Sequence, residues 1–183
     1  MISKSKLALA VFGATALCAA VSLAAPKGTS TSDKQAKTET YADWQVACKA
    51  QNDKRHCAAV QQVFSTTQGK PEVRQRIMAI ELMRAGDGAA GTLILPFGIE
   101  VGKGVSLGIA GHAGPPLPFK TCLPAGCIVP LEFGPEALTA LKKADRLTID
   151  FLTAADGKQK TMGVSLKGFG QAFDRLSVLE KKN

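Results

Sequence analysis

Five cysteines and two histidines are the side chains with the most chemistry to offer, and their spacing limits what that chemistry can be. Cys18 lies in an apolar N-terminal run, apart from the others. Cys48 and Cys57 form one close pair, and Cys122 and Cys127 form another. An even number of cysteines in an oxidising compartment reads as two disulfides. Three pairings are open. The local one is expected, because each close pair brackets a polar or turn-forming stretch, Lys49 to His56 and Leu123 to Gly126. Loops of this size stabilise a fold by roughly 2–3 kcal/mol each in the chain-entropy description. The rival is zinc, held by Cys122 and Cys127 with His56 or His112. It lacks the second close Cys/His pair that a structural site uses, so no metal is expected. There is no Cys-x-x-Cys, hence no redox motif.

Other catalytic constellations fare no better. A serine hydrolase needs a base and an exposed nucleophile. The only imidazoles are His56, beside Cys57, and His112, in the Gly111 to Pro118 stretch. Gly98 to Gly104 resembles a phosphate loop one residue short and without its Ser or Thr, so a hairpin turn with glycines at positive φ is expected instead. Asp43 and Trp44 suggest a ligand site, but a lone Trp in an alternating strand reads first as a core anchor packed by a nearby disulfide. Arg74 and Arg76, two apart, share one strand face that reads as solvated. Gly114 to Pro118 reads as a stiff connection between strands rather than a polyproline docking segment. No catalytic residue and no cofactor are expected.

The elements that must position these residues follow from composition and periodicity. The chain has 183 residues, enough for one domain, with 45% hydrophobic and only 5% aromatic residues, so a core must lean on Val, Ile, Leu and Met. Residues 1–24 carry Lys4 and Lys6, an apolar run from Leu7 to Leu23, and small residues at Ser22 and Ala24. That pattern predicts a cleaved secretory signal peptide. Residues 25–40 hold almost nothing apolar and read as a flexible polar arm. The folded domain is expected over 41–179, with a tail at 180–183. Period-two alternation, as in Leu147, Ile149 and Phe151, marks about nine short strands separated by glycine-bearing turns. These predict an all-β, compact sandwich or barrel-like domain. One helix should open at Pro135-Glu136 and close at Lys142-Lys143, and a second short one should span Gly170 to Leu176.

Several landmarks then fall in a definite order: Tyr41-Ala42-Asp43-Trp44 with Cys48, Leu95-Pro96 with Gly98, Pro118-Phe119 with Cys122, Gly126-Cys127, and Ser165 with Gly168-Phe169. As an ensemble over 41–179 this resembles the invasion-associated locus B family of exported alphaproteobacterial proteins. The resemblance implies a periplasmic or secreted protein, in a family named for host-cell (erythrocyte) entry by one pathogenic genus. It brings no agreed catalytic residues, and it supports the two cysteine pairs. It departs from the family's pattern at Ala110-Gly111-His112, where an acidic residue is expected in relatives.

The expected function is therefore that of an exported, non-catalytic envelope protein acting by surface contact, with invasion or adhesion as the special case. Its partner would be an envelope or host-surface protein. Loss of Lys4 and Lys6 with the leader lowers the formal charge from +8 to +6. The bases are scattered rather than clustered, which argues against nucleic acid. No segment after the leader reads as a membrane span. The alternative is a periplasmic small-ligand binder or hydrolase built on the Gly98 to Pro118 loops.

Overall fold

Alternating side chains with one apolar face need a second apolar layer, and this chain supplies two sheets and two helices that share one interior. The computed structural model describes residues 38–51, 54–67 and 70–181; the expected signal peptide and most of the polar arm lie outside the described residues. The strands are β1 (Glu39–Tyr41), β2 (Trp44–Gln51), β3 (Lys54–Thr67), β4 (Lys70–Ala85), β5 (Gly88–Leu95), β6 (Ser106–Ile109), β7 (His112–Ala113), β8 (Thr121–Leu123), β9 (Gly126–Phe133), β10 (Arg146–Leu152) and β11 (Gln159–Ser165). The helices are α1 (Pro135–Lys143) and α2 (Phe169–Glu180). The larger sheet runs β1-β2-β3-β4-β5-β9-β8 and the smaller β11-β10-β6-β7, with every pairing antiparallel. The protein is an all-β sandwich.

The interior takes Trp44 and Val46 from β2, Met78, Ile80 and Leu82 from β4, and Val129, Leu131 and Phe133 from β9. From the smaller sheet come Leu107, Leu147, Ile149, Phe151 and Val164. α2 lays Phe169, Ala172, Phe173 and Leu176 against β2, β3 and β4, and α1 adds Leu138 and Leu141. Pro135 at the start of α1, Glu136 in its first turn and Lys142-Lys143 in its last suit the helix dipole.

Four local expectations change. The structure describes eleven strands rather than nine, because β1 and β7 are too short to show an alternation. Glu39 and Thr40 belong to β1 rather than to the polar arm, since they ladder onto Val46 and Gln45. The Gly98 to Gly104 loop is not a hairpin turn: β5 and β6 lie in different sheets, so this segment carries the chain from one sheet to the other. It does so through an Ile99–Thr153 bridge and a 3₁₀ turn at Val101–Lys103. Gly104 turns the chain at φ 68°, where a Cβ would lie 2.5 Å from the Leu117 carbonyl oxygen. Gly114 to Pro118 makes the return crossing, tied down by a Val105–Leu117 bridge. α2 runs from Phe169 to Glu180, longer than the Gly170 to Leu176 expected.

The strands of the larger sheet are staggered. β2 pairs with β3 from Lys54 to Val60, whereas β4 pairs with β3 from Ala59 to Thr67. β5 meets β4 only from Ala79 to Ala85. Among the described residues, β3 and β4 therefore continue past Gln61 and Met78 as a two-stranded ribbon. At the other end, β2 and β3 form a second ribbon toward Gln51 and Lys54.

Candidate functional site

The most elaborate polar arrangement joins the start of the domain to its end. β2 opens at Trp44 after the tight Ala42-Asp43 turn, with Ala42 held at φ 49°. The Trp44 ring is fully buried and lies 4.8 Å from the Phe169 ring, centroid to centroid. Phe169 in turn packs 5.5 Å from Phe173. The Trp44 Nε1–H donates to the Ser165 carbonyl at 2.8 Å. Gln61, on an inward position of β3, donates from Nε2 to the same carbonyl at 2.9 Å and accepts the Ser165 N–H on Oε1 at 3.2 Å. Its side-chain amide thus copies a strand partner for the last residue of β11. Ser165 Oγ donates to Asp43 Oδ2 at 2.5 Å, and the Asp43 N–H reaches the Lys167 carbonyl at 3.3 Å.

Gly168 completes this clasp. Its φ of 83° sits in the left-handed region, and a Cβ there would lie 2.1 Å from the Tyr41 carbonyl oxygen. Only glycine lets the β1–β2 turn close on the start of α2. Beside it, Arg175 donates Nε and Nη2 to Glu39 Oε2 and Oε1 at 2.7 and 2.8 Å, a two-pronged pair. Tyr41 Oη–H donates to Glu39 Oε2 at 2.9 Å. That hydrogen bond to a carboxylate holds the Tyr41 phenol above its ordinary pKa, and Glu39 likewise raises that of the Arg175 guanidinium.

Next to the clasp lies a groove of about 390 Å³ whose lining includes Asp43, Gln45, Gln61, Gln62, Phe64 and Arg74. It runs along the edge of β3 beyond the last residue paired with β2. The Arg74 guanidinium lies 4.6 Å over the Phe64 ring. A shallower groove of about 200 Å³, lined by residues such as Lys103, Ser106, Asp150 and Gln159, adjoins the sheet crossing.

The residues singled out in the sequence scatter around the molecule. Cys48 is bonded to Cys57 directly across β2 and β3, and Cys122 to Cys127 across β8 and β9. Those four sulfurs are bonded in two pairs, so none is a free thiolate. His56 is exposed opposite Lys49 in the stapled ribbon. His112 is exposed at the β6–β7 turn, where Ala110 and Gly111 both take positive φ, and it lines neither groove. Arg74 and Arg76 go separate ways: Arg76 Nη2 donates to the Ala125 carbonyl at 3.3 Å rather than joining Arg74. Trp44 is the core anchor expected, with Phe169 as its ring partner. Gln61 went unnoticed. Its signal was a polar residue where the alternation of Ala59, Gln61 and Val63 calls for an inward apolar one.

The chain carrying this clasp and these two disulfides matches a known protein family over most of its described length. The family model described as Invasion associated locus B (IalB) protein covers residues 44–177. The chain belongs to this family. It is 39% identical over 144 residues to an invasion protein B homolog of Brucella abortus (strain 2308), spanning 78% of this chain and 80% of that protein. It is 30% identical over 148 residues to invasion protein B of Bartonella bacilliformis, spanning 79% of this chain and 76% of that one. The crystal structure of invasion associated protein b from Bartonella henselae superposes with a TM-score of 0.71 at 33% identity, covering 80% of this chain and 98% of that one. Among the described residues, no helix is long and apolar enough to cross a membrane.

Proposed function

We propose that this invasion-associated family member is exported by the leader at residues 1–24 and acts by surface contact, without catalysis, in the envelope or at a host surface. The observation that carries this reading is where the reactive side chains are spent. Gln61, Trp44 and Ser165 are consumed in holding the two sheets and α2 together, and Asp43 gives one carboxylate oxygen, Oδ2, to the same clasp. What the fold presents outward is strand edge, loop and charge, the means of a binding module. The relatives named invasion protein B support an association with invasion. Two cross-strand disulfides suit an oxidising compartment such as the periplasm or the exterior.

Fractionation of cells expressing the full chain, with intact-mass analysis of the product, tests export. The expected product starts at Ala25, lies in the periplasm or medium, and resists thiol alkylation without reductant. A cytosolic product that keeps Met1 to Ala24 and alkylates at Cys48 and Cys122 would refute it. Photo-crosslinking in intact cells from the exposed Phe64 and Phe97 positions tests contact, the expected result being a discrete crosslinked protein partner. Turnover of a small substrate by the purified mature chain, abolished by His112→Ala, would replace contact by catalysis.

A further inference from the structure

We infer that the open edge of β3 from Gln61 to Phe64 is a docking site for a short extended segment of a partner polypeptide. That segment adds as a strand beside β3 and places an acidic side chain against Arg74. The inference rests on the surface-contact reading and narrows it to one face and one kind of partner.

Two independent observations coincide here. The first is backbone pairing: β2 ladders onto β3 only as far as Val60, so among the described residues no strand continues that ladder along Gln61, Gln62 and Val63. An edge of this kind presents backbone donors and acceptors in the spacing that an extended peptide satisfies. The second is shape. The groove of about 390 Å³ lies on this edge, walled by Thr40, Ala42 and Asp43 on one side and by Phe64 and Arg74 on the other.

The chemistry of the walls selects the guest. Arg74 is held over the Phe64 ring at 4.6 Å, which keeps its planar donors in place for a carboxylate. The exposed Asp43 stands at the opposite wall. Opposite charges at the two ends give the guest a direction: its acidic residue goes to Arg74, and a basic or amide donor goes to Asp43. Phe64, 40% exposed, offers an apolar surface for the residue between them. The β3–β4 register shifts between Val63 and Phe64, with the extra residue on β4, and the added twist bends β3 away from a straight guest, so the guest is short. A second copy of the chain is the weaker occupant, because the mature chain, without Lys4 and Lys6, carries a formal charge of +6 rather than the +8 of the full sequence and would meet its own like charge.

The test uses the full mature chain and an array of acetylated hexapeptides of alternating Thr and Val, carrying Asp, Lys or Ala at either end. The expected result is binding of the peptides that carry Asp at one end and Lys at the other. Amide hydrogen exchange should slow at 61–64 on binding and stay unchanged at 55–58. Arg74→Glu should weaken the Asp-bearing peptides about fivefold or more and transfer preference to Lys at that end. Folding of this variant is checked by its unfolding midpoint, and Phe64→Ala serves as a second variant that removes the stack and keeps the charge. Binding indifferent to the Arg74 charge, or none at millimolar peptide, overturns the proposal. So does protection at 61–64 in the free protein that vanishes on dilution, a second copy, or on removal of residues 25–37, the chain's own arm. Loss of this site with intact-cell crosslinks preserved at Phe97 would leave the surface-contact reading standing.

Discussion

Strand β3 serves two ribbons, and the molecule secures them in opposite ways. Toward Lys54 it pairs with β2, and the Cys48–Cys57 bond crosses the two strands. Toward Thr67 it pairs with β4, and among the described residues the Phe64–Arg74 stack, the Arg76 hydrogen bond to Ala125 and two register shifts shape that end. A two-stranded ribbon buries little and is marginal in water by itself. One arm is therefore stiffened covalently, while the other is left with exposed side chains and an open edge beside a groove. Between them sits the clasp at Gln61, where β3 is tied to β11. The contrast teaches that rigidity is concentrated at one end and recognition surface at the other, with a buried amide as the divide.

The largest expected effect strikes the shared base. Trp44→Ala removes the fully buried ring stacked on Phe169 and one donor to Ser165. It should cost about 3–5 kcal/mol, read from the denaturant midpoint of the mature chain. Both ribbons should lose exchange protection together. Protection lost in one ribbon alone would show that the base is not shared.

Removing the staple with Cys48→Ala and Cys57→Ala should cost about 2–3 kcal/mol. Opening should appear in exchange at 55–58 and spare the β3–β4 ribbon; equal opening of the two would erase the contrast. Gln61→Leu keeps the volume but leaves the Ser165 N–H without its Oε1 acceptor. A loss of about 1–2 kcal/mol is expected. A neutral outcome in the same unfolding experiment would remove Gln61 from the clasp. Phe64→Ala should cost no more than about 0.5–1 kcal/mol, since the stack is exposed, and should be visible mainly as a mobile Arg74 side chain by NMR.

A third hairpin sharpens the comparison because a charge secures it. In the β10–β11 turn, Asp156 accepts from Thr153 Oγ1, and from the Lys158 N–H at 3.3 Å, with the Lys158 ammonium 2.9 Å away. The Thr153 hydroxyl first, then Lys158, hold the Asp156 carboxyl below its ordinary pKa. A depressed carboxyl favours the fold above the unfolded value near 3.8, and that contribution fades as pH falls through the lower folded value. A carboxyl-detected titration should show Asp156 titrating below 3.8, with the turn loosening only in strong acid. Titration at or above 3.8 would leave this turn with no charge holding it.

Much of the sandwich was legible because it is written in local terms. Leu147, Ile149 and Phe151 declare their face by alternation, and Pro135 through Lys143 by helix-end chemistry. The long strands read short, His56 to Ser65 in place of Lys54–Thr67, because the ends carry Lys, Arg and Thr and show no apolar alternation. The Gly98 to Gly104 segment shows the limit most clearly. Its glycines foretold the bends, but a bend between neighbours in one sheet and a crossing between two sheets use the same backbone freedom. Asp43, Gln61 and Ser165 carried no mutual spacing that could announce their contact.

The sequence by itself settled which side chains face inward along β4 and β10 and where the helix of Pro135 begins and ends. Such choices depend on neighbours a few residues away, where periodicity and end effects act. The tertiary structure alone decided that Gln61 would stand in for a missing strand beside Ser165. It alone decided that Gly168 would yield its Cβ space to Tyr41. Those outcomes need segments more than a hundred residues apart in the chain to meet. Only burial of the common core brings them together, because no local pattern encodes the partner of a strand edge.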